Sequence, residues 1–219
     1  MNDLQKVRKR VLVVDDEKSI RDFLVLGLKR AGYDCTALGS AEEALDLVNL
    51  EPVDIVITDI VMPGMSGLDL AGELAETYLL DVIVMTGFAR DVLYEDVIRQ
   101  GARDFVVKPV RISELLTRLE RVFRERKTED RLRVSLVRSK RILNQTVTAL
   151  STALEKRDPY TSGHQHRVAT LASEIARDMG LLDSEMETIW IAGLLHDLGK
   201  LTVPTDILTK PGKLSAIEP

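Results

Sequence analysis

The chain has 219 residues, enough for one or two domains at about 150 residues each. Hydrophobic residues make up 45% and charged residues 30%, an ordinary globular balance that argues against a disordered or low-complexity protein. With 30 basic and 35 acidic residues the net charge is −5, which disfavours a whole-chain nucleic-acid coat, and the single cysteine, Cys35, excludes a disulfide framework.

No apolar run approaches the roughly 20 residues that span a bilayer, and the polar, basic start carries no apolar core of a signal peptide. The expectation is a cytoplasmic protein with no membrane partner. In chain order, five short runs rich in Val and Ile then stand out: Val11–Val14, Cys35–Leu38, Ile55–Thr58, Val82–Met85 and Phe105–Val107. They are apolar on consecutive positions, as in strands buried on both faces of a parallel sheet. Stretches of helical spacing separate them: Ile20, Phe23, Leu24 and Leu28 share a face, as do Leu45 and Val48, and later Leu115, Leu119, Val122 and Phe123. Ser19 with Asp22, Ser40 with Glu43 and Ser66 with Asp69 read as helix starts, and Gly32 as the end of the first helix. The order βαβαβαβαβα with right-handed crossovers predicts a doubly wound α/β sandwich.

Sites in such sheets form beyond the C-terminal strand ends. The first strand ends in Asp15, Asp16 and Glu17, the third in Asp59, the fourth in Thr86 and Gly87, the fifth in Lys108 and Pro109. Carboxylates, a hydroxyl and an ammonium therefore converge on one edge. Crowded carboxylates repel, and a hard divalent cation with oxygen ligands relieves them. A carboxylate beside such a cation can attack phosphorus, with the lysine and hydroxyl holding the phosphoryl oxygens.

The stretches VLVVDDE, ITDIVMPGMSGLDL, VIVMTGFA and DFVVKP resemble the receiver domain of two-component response regulators, a flavodoxin-like five-stranded fold, over roughly residues 8–124. The resemblance implies that Asp59 is the phosphoacceptor for a sensor histidine kinase. It implies that Asp15 and Asp16, with Asp59 and the backbone carbonyl of Val61, hold Mg²⁺. Thr86 is then the switch hydroxyl and Lys108 the phosphate-binding lysine. Phe105 stands where receivers carry a rotating aromatic and has no phenolic hydroxyl, so it acts by packing or is a core residue. Met62, Pro63 and Gly64 shape the loop after Asp59.

From Arg111 to about Arg157 there is no Pro or Gly, which predicts a long connector helix. Leu136, Leu143 and Leu150 are spaced by seven, with Val147 and Leu154 on the alternate seam and Lys140 interrupting it. Two readings stay open: a self-pairing helix that makes a homodimer, or an amphipathic helix packing on its own C-terminal half. Residues 121–141 hold nine Lys/Arg and three Asp/Glu, but no aromatic lies between Arg124 and Arg141 for base stacking. A solvated basic face is preferred to a nucleic-acid surface.

All three histidines come late. On a helix over Thr161–Met179, His164, Val168, Leu171 and Ile175 form the inward stripe, and His166 points outward. Ser184 with Glu187 opens a next, buried helix that ends in His196 and Asp197, with Lys200 one turn on. A neutral imidazole beside a carboxylate suits a metal, and Lys200 suits a phosphate.

LEKRDPYTSGHQHRVATLA, IAGLLHDLGKLTVP and DILTKPGKLS resemble the HD-GYP family of metal-dependent phosphohydrolases over about residues 140–219. The resemblance implies hydrolysis of cyclic di-GMP at an iron or manganese centre. His164, His196 and Asp197 are then metal ligands, Lys200 contacts phosphate, and Asp158 and Tyr160 belong to the first motif. The family's downstream ligands and Gly-Tyr-Pro signature do not occur in these 219 residues. A Ser215-to-Glu218 capping box with one residue after it reads as a truncation. The expectation is a receiver at 1–124, a helical connector at 125–141 and a partial all-α HD-type domain at 142–219. That domain is not expected to assemble a full dinuclear site. The alternative function is a non-catalytic signalling protein acting by phosphorylation-dependent dimerisation or protein contact.

Overall fold

A computed structural model describes residues 8–87, 94–157 and 163–208. It divides into two compact units, residues 1–129 and 130–219. In the first, β1 (Arg10–Val14), β2 (Asp34–Leu38), β3 (Ile55–Asp59), β4 (Asp81–Thr86) and β5 (Asp104–Val107) form one parallel sheet in the order β2-β1-β3-β4-β5. α1 (Lys18–Arg30), α2 (Ala41–Leu50), α3 (Gly67–Thr77), α4 (Tyr94–Arg99) and the start of α5 (Ile112–Arg157) connect and cover it.

The pleat sends alternate residues of each strand into different layers. Val11, Val13, Ile55, Ile57, Ile83, Met85 and Val106 pack under Leu24 and Leu28 of α1 and Leu115, Leu119 and Val122 of α5. Leu12, Val14, Val56, Val82 and Val84 pack under α2, α3 and α4, chiefly Ala44, Leu70, Leu74 and Val97. Two covered faces explain the consecutive apolar runs. β2 departs from that expectation: it is an edge strand, and only Cys35 is buried in it.

Ser40 and Ser66 cap α2 and α3, each accepting a hydrogen bond from the third residue on, at 3.2 Å. Gly32 follows the α1 C-cap with φ +94°, a conformation glycine adopts without strain. Ser19 is not a cap. α1 begins at Lys18, directly from the acidic loop, and the Glu17 carbonyl accepts from Ile20 and Arg21. Phe23 is also not core: it is 51% exposed, rotated off the Leu24–Leu28 line.

The second unit comprises the rest of α5, α6 (His164–Asp178), α7 (Asp183–Leu195), a 3-10 turn (Leu198–Thr202) and α8 (Thr205–Leu208). Val147, Ala169 and Leu194 form its core, with Ile191 and Leu195 against them. The seam on α5 splits between the two open readings. Val147 and Leu154 are buried in this unit, whereas Leu136 and Leu143 are exposed. The interrupting Lys140 pairs with Glu187 of α7 at 2.9 Å.

The inward stripe of α6 is not the expected one. Gln165, Ala169 and Ala176 are buried, while Leu171 and Ile175 are 63% and 52% exposed. The cause is the helix crossing: Gly193 of α7 sits directly on Ala169, so α6 turns its small residues inward. α6 begins at His164 after Gly163, whose φ is +68°. α7 begins at Asp183 and not at Ser184, because the Glu185 carboxylate accepts from the Leu182 N–H at 2.9 Å. It is not a buried helix either: only Gly193 and Leu194 are buried, and Trp190 is 37% exposed. Thr161, Asp158, Tyr160 and the Ser215–Glu218 signal lie outside the described residues.

Candidate functional site

The ends of β1, β3 and β5 bring Asp15, Asp59 and Lys108 together. The Lys108 ammonium lies 3.0 Å from Asp15 Oδ2 and 2.9 Å from Asp59 Oδ2, and both carboxylates are buried. Oxygen atoms of Asp15, Asp16 and Asp59 all lie within 4.8 Å of one another. That all-oxygen set fits a hard divalent cation. Burial pushes the Asp59 carboxyl above its ordinary range; Asp15 adds to this, and Lys108 only partly offsets it. Burial alone would pull the Lys108 ammonium down, but the hydrogen bonds it donates to Asp59 and Asp15 overcome it and leave its pKa raised.

The backbone fixes these groups. The Asp15 carboxylate also accepts the Glu17 N–H at 2.9 Å, and the Lys108 N–H donates to the Thr86 carbonyl at 2.7 Å. Thr86 is buried at the end of β4, and Val61 is 69% exposed in the loop after Asp59. Phe105 is half-buried, with the Arg118 guanidinium 5.6 Å over its ring.

Two residues of this site did not stand out in the sequence. Gly67 donates to the Ile60 carbonyl at 3.0 Å, and a Cβ there would come within 1.8 Å of the Asp59 carbonyl oxygen. Glu42 of α2 accepts the Met65 N–H at 3.1 Å and so holds the loop after Asp59. A glycine immediately after the Ser66 cap was the available signal for the first.

In the second unit the α6–α7 crossing sets His164 beside His196, ring centroids 5.2 Å apart at 65°. One ligand atom each of His164, His196 and Asp197 lies within 4.8 Å of the others. His196 Nδ1 sits 2.8 Å from the Gly193 carbonyl, which can only accept, so the tautomer of the neutral ring that fits this contact has its proton on Nδ1 and offers Nε2 as the ligand atom. Nitrogen and oxygen donors with the imidazole oriented from behind suit a transition metal. Lys200 donates to Asp197 at 2.7 Å and holds that carboxyl below its ordinary range, against a smaller effect of burial. His166 lies apart, stacked on Trp190 at 6.3 Å.

Comparison with known proteins finds one domain model spanning each cluster. Residues 11–120 match the response regulator receiver domain model and residues 161–218 the HD domain model. Over 95% of this chain, it is 30% identical to the "cyclic di-GMP phosphodiesterase response regulator RpfG" of Xanthomonas campestris pv. campestris, covering 59% of that protein. It is 33% identical to a "probable cyclic di-GMP phosphodiesterase" of Vibrio cholerae, again over 95% of this chain and covering 52% of the relative. The chain thus spans little more than half the length of these relatives. Among solved structures, the chemotaxis response regulator CheY4 of Vibrio cholerae matches 53% of this chain and 99% of its own, at 28% identity and a TM-score of 0.50. The receiver of an HD domain-containing protein from Pseudomonas fluorescens Pf-5 matches 56% and 91%, at 26% and 0.50. Receiver and HD domains typically bind divalent metals. No helix among the described residues is long and apolar enough to cross a membrane. The chain belongs to the response regulator receiver family and carries an HD domain behind its receiver.

Proposed function

We propose that a sensor histidine kinase phosphorylates Asp59 and that this controls an HD-GYP-type output directed at cyclic di-GMP. The observation that carries the first step is the Asp15–Lys108–Asp59 cluster at the C-terminal edge of the sheet. An Asp59 oxygen attacks the phosphorus of a phosphohistidine donor; a P–O bond forms as the P–N bond breaks, and the imidazole leaves with a solvent proton. Lys108 moves from between the carboxylates to the incoming phosphoryl oxygens, and the Thr86 hydroxyl donates to another. Mg²⁺ held by Asp15, Asp16, Asp59 and the Val61 carbonyl would supply neutralisation of the crowded charge.

In the output half, His164, His196 and Asp197 would hold iron or manganese, whose chemistry is activation of water at neutral pH. Lys200 would pair with a phosphodiester oxygen. This reading divides the chain into receiver 1–124, connector 125–141 and HD-type half 142–219, in a cytoplasmic protein. Three ligands among the described residues are fewer than a dinuclear centre uses, so the 219-residue chain is expected to lack turnover by itself.

Two assays test this. Treatment with a small phosphoryl donor and Mg²⁺ should add one phosphoryl group, and Asp59→Asn should abolish it. Cyclic di-GMP incubated anaerobically with iron- or manganese-loaded protein should stay intact. Turnover lost in His196→Ala/Asp197→Ala would show that the missing ligands are completed in trans or by water.

A second reading, signalling by self-association, rests on Leu132, Leu136 and Leu143, which line one face of α5 and are 61%, 62% and 50% exposed. Sedimentation of phosphorylated protein should show a dimer that Leu136→Asp/Leu143→Asp dissociates.

A further inference from the structure

The acidic loop between β1 and α1 is held from an unexpected side. Arg21, on the first turns of α1, is half-buried, and its guanidinium Nη1 donates to the Asp15 carbonyl at 2.6 Å. That carbonyl belongs to the peptide joining Asp15 to Asp16. On the other side of Asp15, its N–H donates to the Leu38 carbonyl at 3.3 Å. The side chain is fixed as well, by the Glu17 N–H and Lys108. Asp16 differs: it is exposed, and its carboxylate makes no hydrogen bond among the described residues. Its direction is therefore set by the backbone it hangs from.

Arg21 is also braced. Its Nη1 lies beside Gly39, where an added Cβ would meet it at 3.6 Å and Glu43 Oε2 at 3.8 Å. Glu43 in turn accepts the Gly39 N–H at 3.0 Å. The turn that ends β2 thus backs the guanidinium against the acidic loop.

We infer that Arg21 is a positioning residue for the cation site: by holding the Asp15–Asp16 peptide plane it aims the Asp16 carboxylate at the ion. This rests on the reading of Asp15, Asp16 and Asp59 as a Mg²⁺ site. A positive charge near a cation site also works in the opposite direction, by Coulomb repulsion. The two effects have opposite signs, so variants separate them. Arg21→Ala removes donor and charge. Arg21→Gln removes the charge and keeps an amide donor.

The experiment is Mg²⁺ titration of the full chain by calorimetry, with thermal unfolding in chelator as the fold check. Wild type should bind Mg²⁺, and Asp16→Asn should not. Arg21→Ala should weaken binding about tenfold, the usual cost of losing an orienting partner, with the metal-free melting temperature unchanged. Arg21→Gln should bind within about threefold of wild type, because an orienting donor remains. Equal binding by Arg21→Ala would overturn the inference, and tighter binding would overturn it and show that repulsion dominates. Equal loss in Ala and Gln variants would overturn it too, because a kept donor would then count for nothing. Wild type that binds no Mg²⁺, or binds it equally with Asp16→Asn, would overturn the site reading beneath it.

Discussion

Gly193 of α7 lies against Ala169 of α6 so closely that a Cβ on Gly193 would come within 2.6 Å of the Ala169 Cα. The same Gly193 carbonyl orients His196 at 2.8 Å. Packing and ligand geometry therefore meet in one residue. Gly193→Val should destabilise the second unit by about 1–3 kcal/mol, the range for overpacking a filled contact. The check is urea unfolding followed by Trp190 fluorescence, with Mn²⁺ binding measured alongside; a variant as stable as wild type with intact metal binding would refute the close-approach argument.

Asp104 begins β5 with a fully buried carboxylate that faces two guanidinium groups of α5, Arg118 at 2.8 Å and Arg121 at 2.6 Å. Its Oδ1 also accepts the Phe105 N–H at 2.8 Å. Removing both arginines strands a buried charge. Arg118→Ala/Arg121→Ala should cost about 3 kcal/mol, the lower end for breaking a buried pair. Each single variant should cost less than half of that, because the remaining guanidinium still serves the carboxylate. Chemical denaturation of the four members of the cycle gives the coupling directly.

Burial pushes the Cys35 thiol from 9.0 up to about 11. At pH 8 only about one thiol in a thousand is then the reactive thiolate. Alkylation of the folded protein should be slow at pH 8 and should rise about tenfold per pH unit toward pH 10. The linked effect on stability has a definite sign. The folded state keeps its proton where the unfolded chain loses it, so stability falls as pH rises from about 9 to about 11. Rapid labelling at pH 8 in the absence of denaturant would contradict this.

Hydrogen bonds from its own backbone N–H and from Met65 hold the Glu42 carboxyl below its ordinary range. Glu42→Ala should speed amide exchange at Met65 without lowering the melting temperature measurably. Because the folded value is the lower one, the contact is fully present above the ordinary carboxylate range, persists through it, and is lost as pH falls through the lowered folded value. Exchange measured at neutral and at acidic pH separates the two regimes.

The sheet and the first cluster were legible because both follow from local pattern. The strands covered on both faces, β1, β3 and β4, write themselves as consecutive Val and Ile, and a parallel sheet sends all its C-terminal strand ends to one edge. The rotation of α6 was not legible. Leu171 and Ile175 satisfy the spacing for an inward stripe, and only the partner surface at Gly193 shows that small residues must face inward. Arg21, Glu42 and Gly67 were missed for a related reason. Each acts on the backbone of another segment, and such contacts leave no periodic trace.

The root of α5 is fastened beyond the end of the receiver's apolar core. Arg126 reaches the Asp54 carbonyl at 3.1 Å and Asp81 at 3.5 Å, and Arg103 pairs with Glu125 and Glu129. From there α5 runs on unbroken to Arg157. A helix so anchored behaves as a ruled scale with angular graduations of about 100° per residue. One residue inserted after Glu129 would swing Leu132, Leu136 and Leu143 to a different compass bearing, whereas seven would return them to nearly the original one. The length of this segment in residues is thereby also a setting of direction.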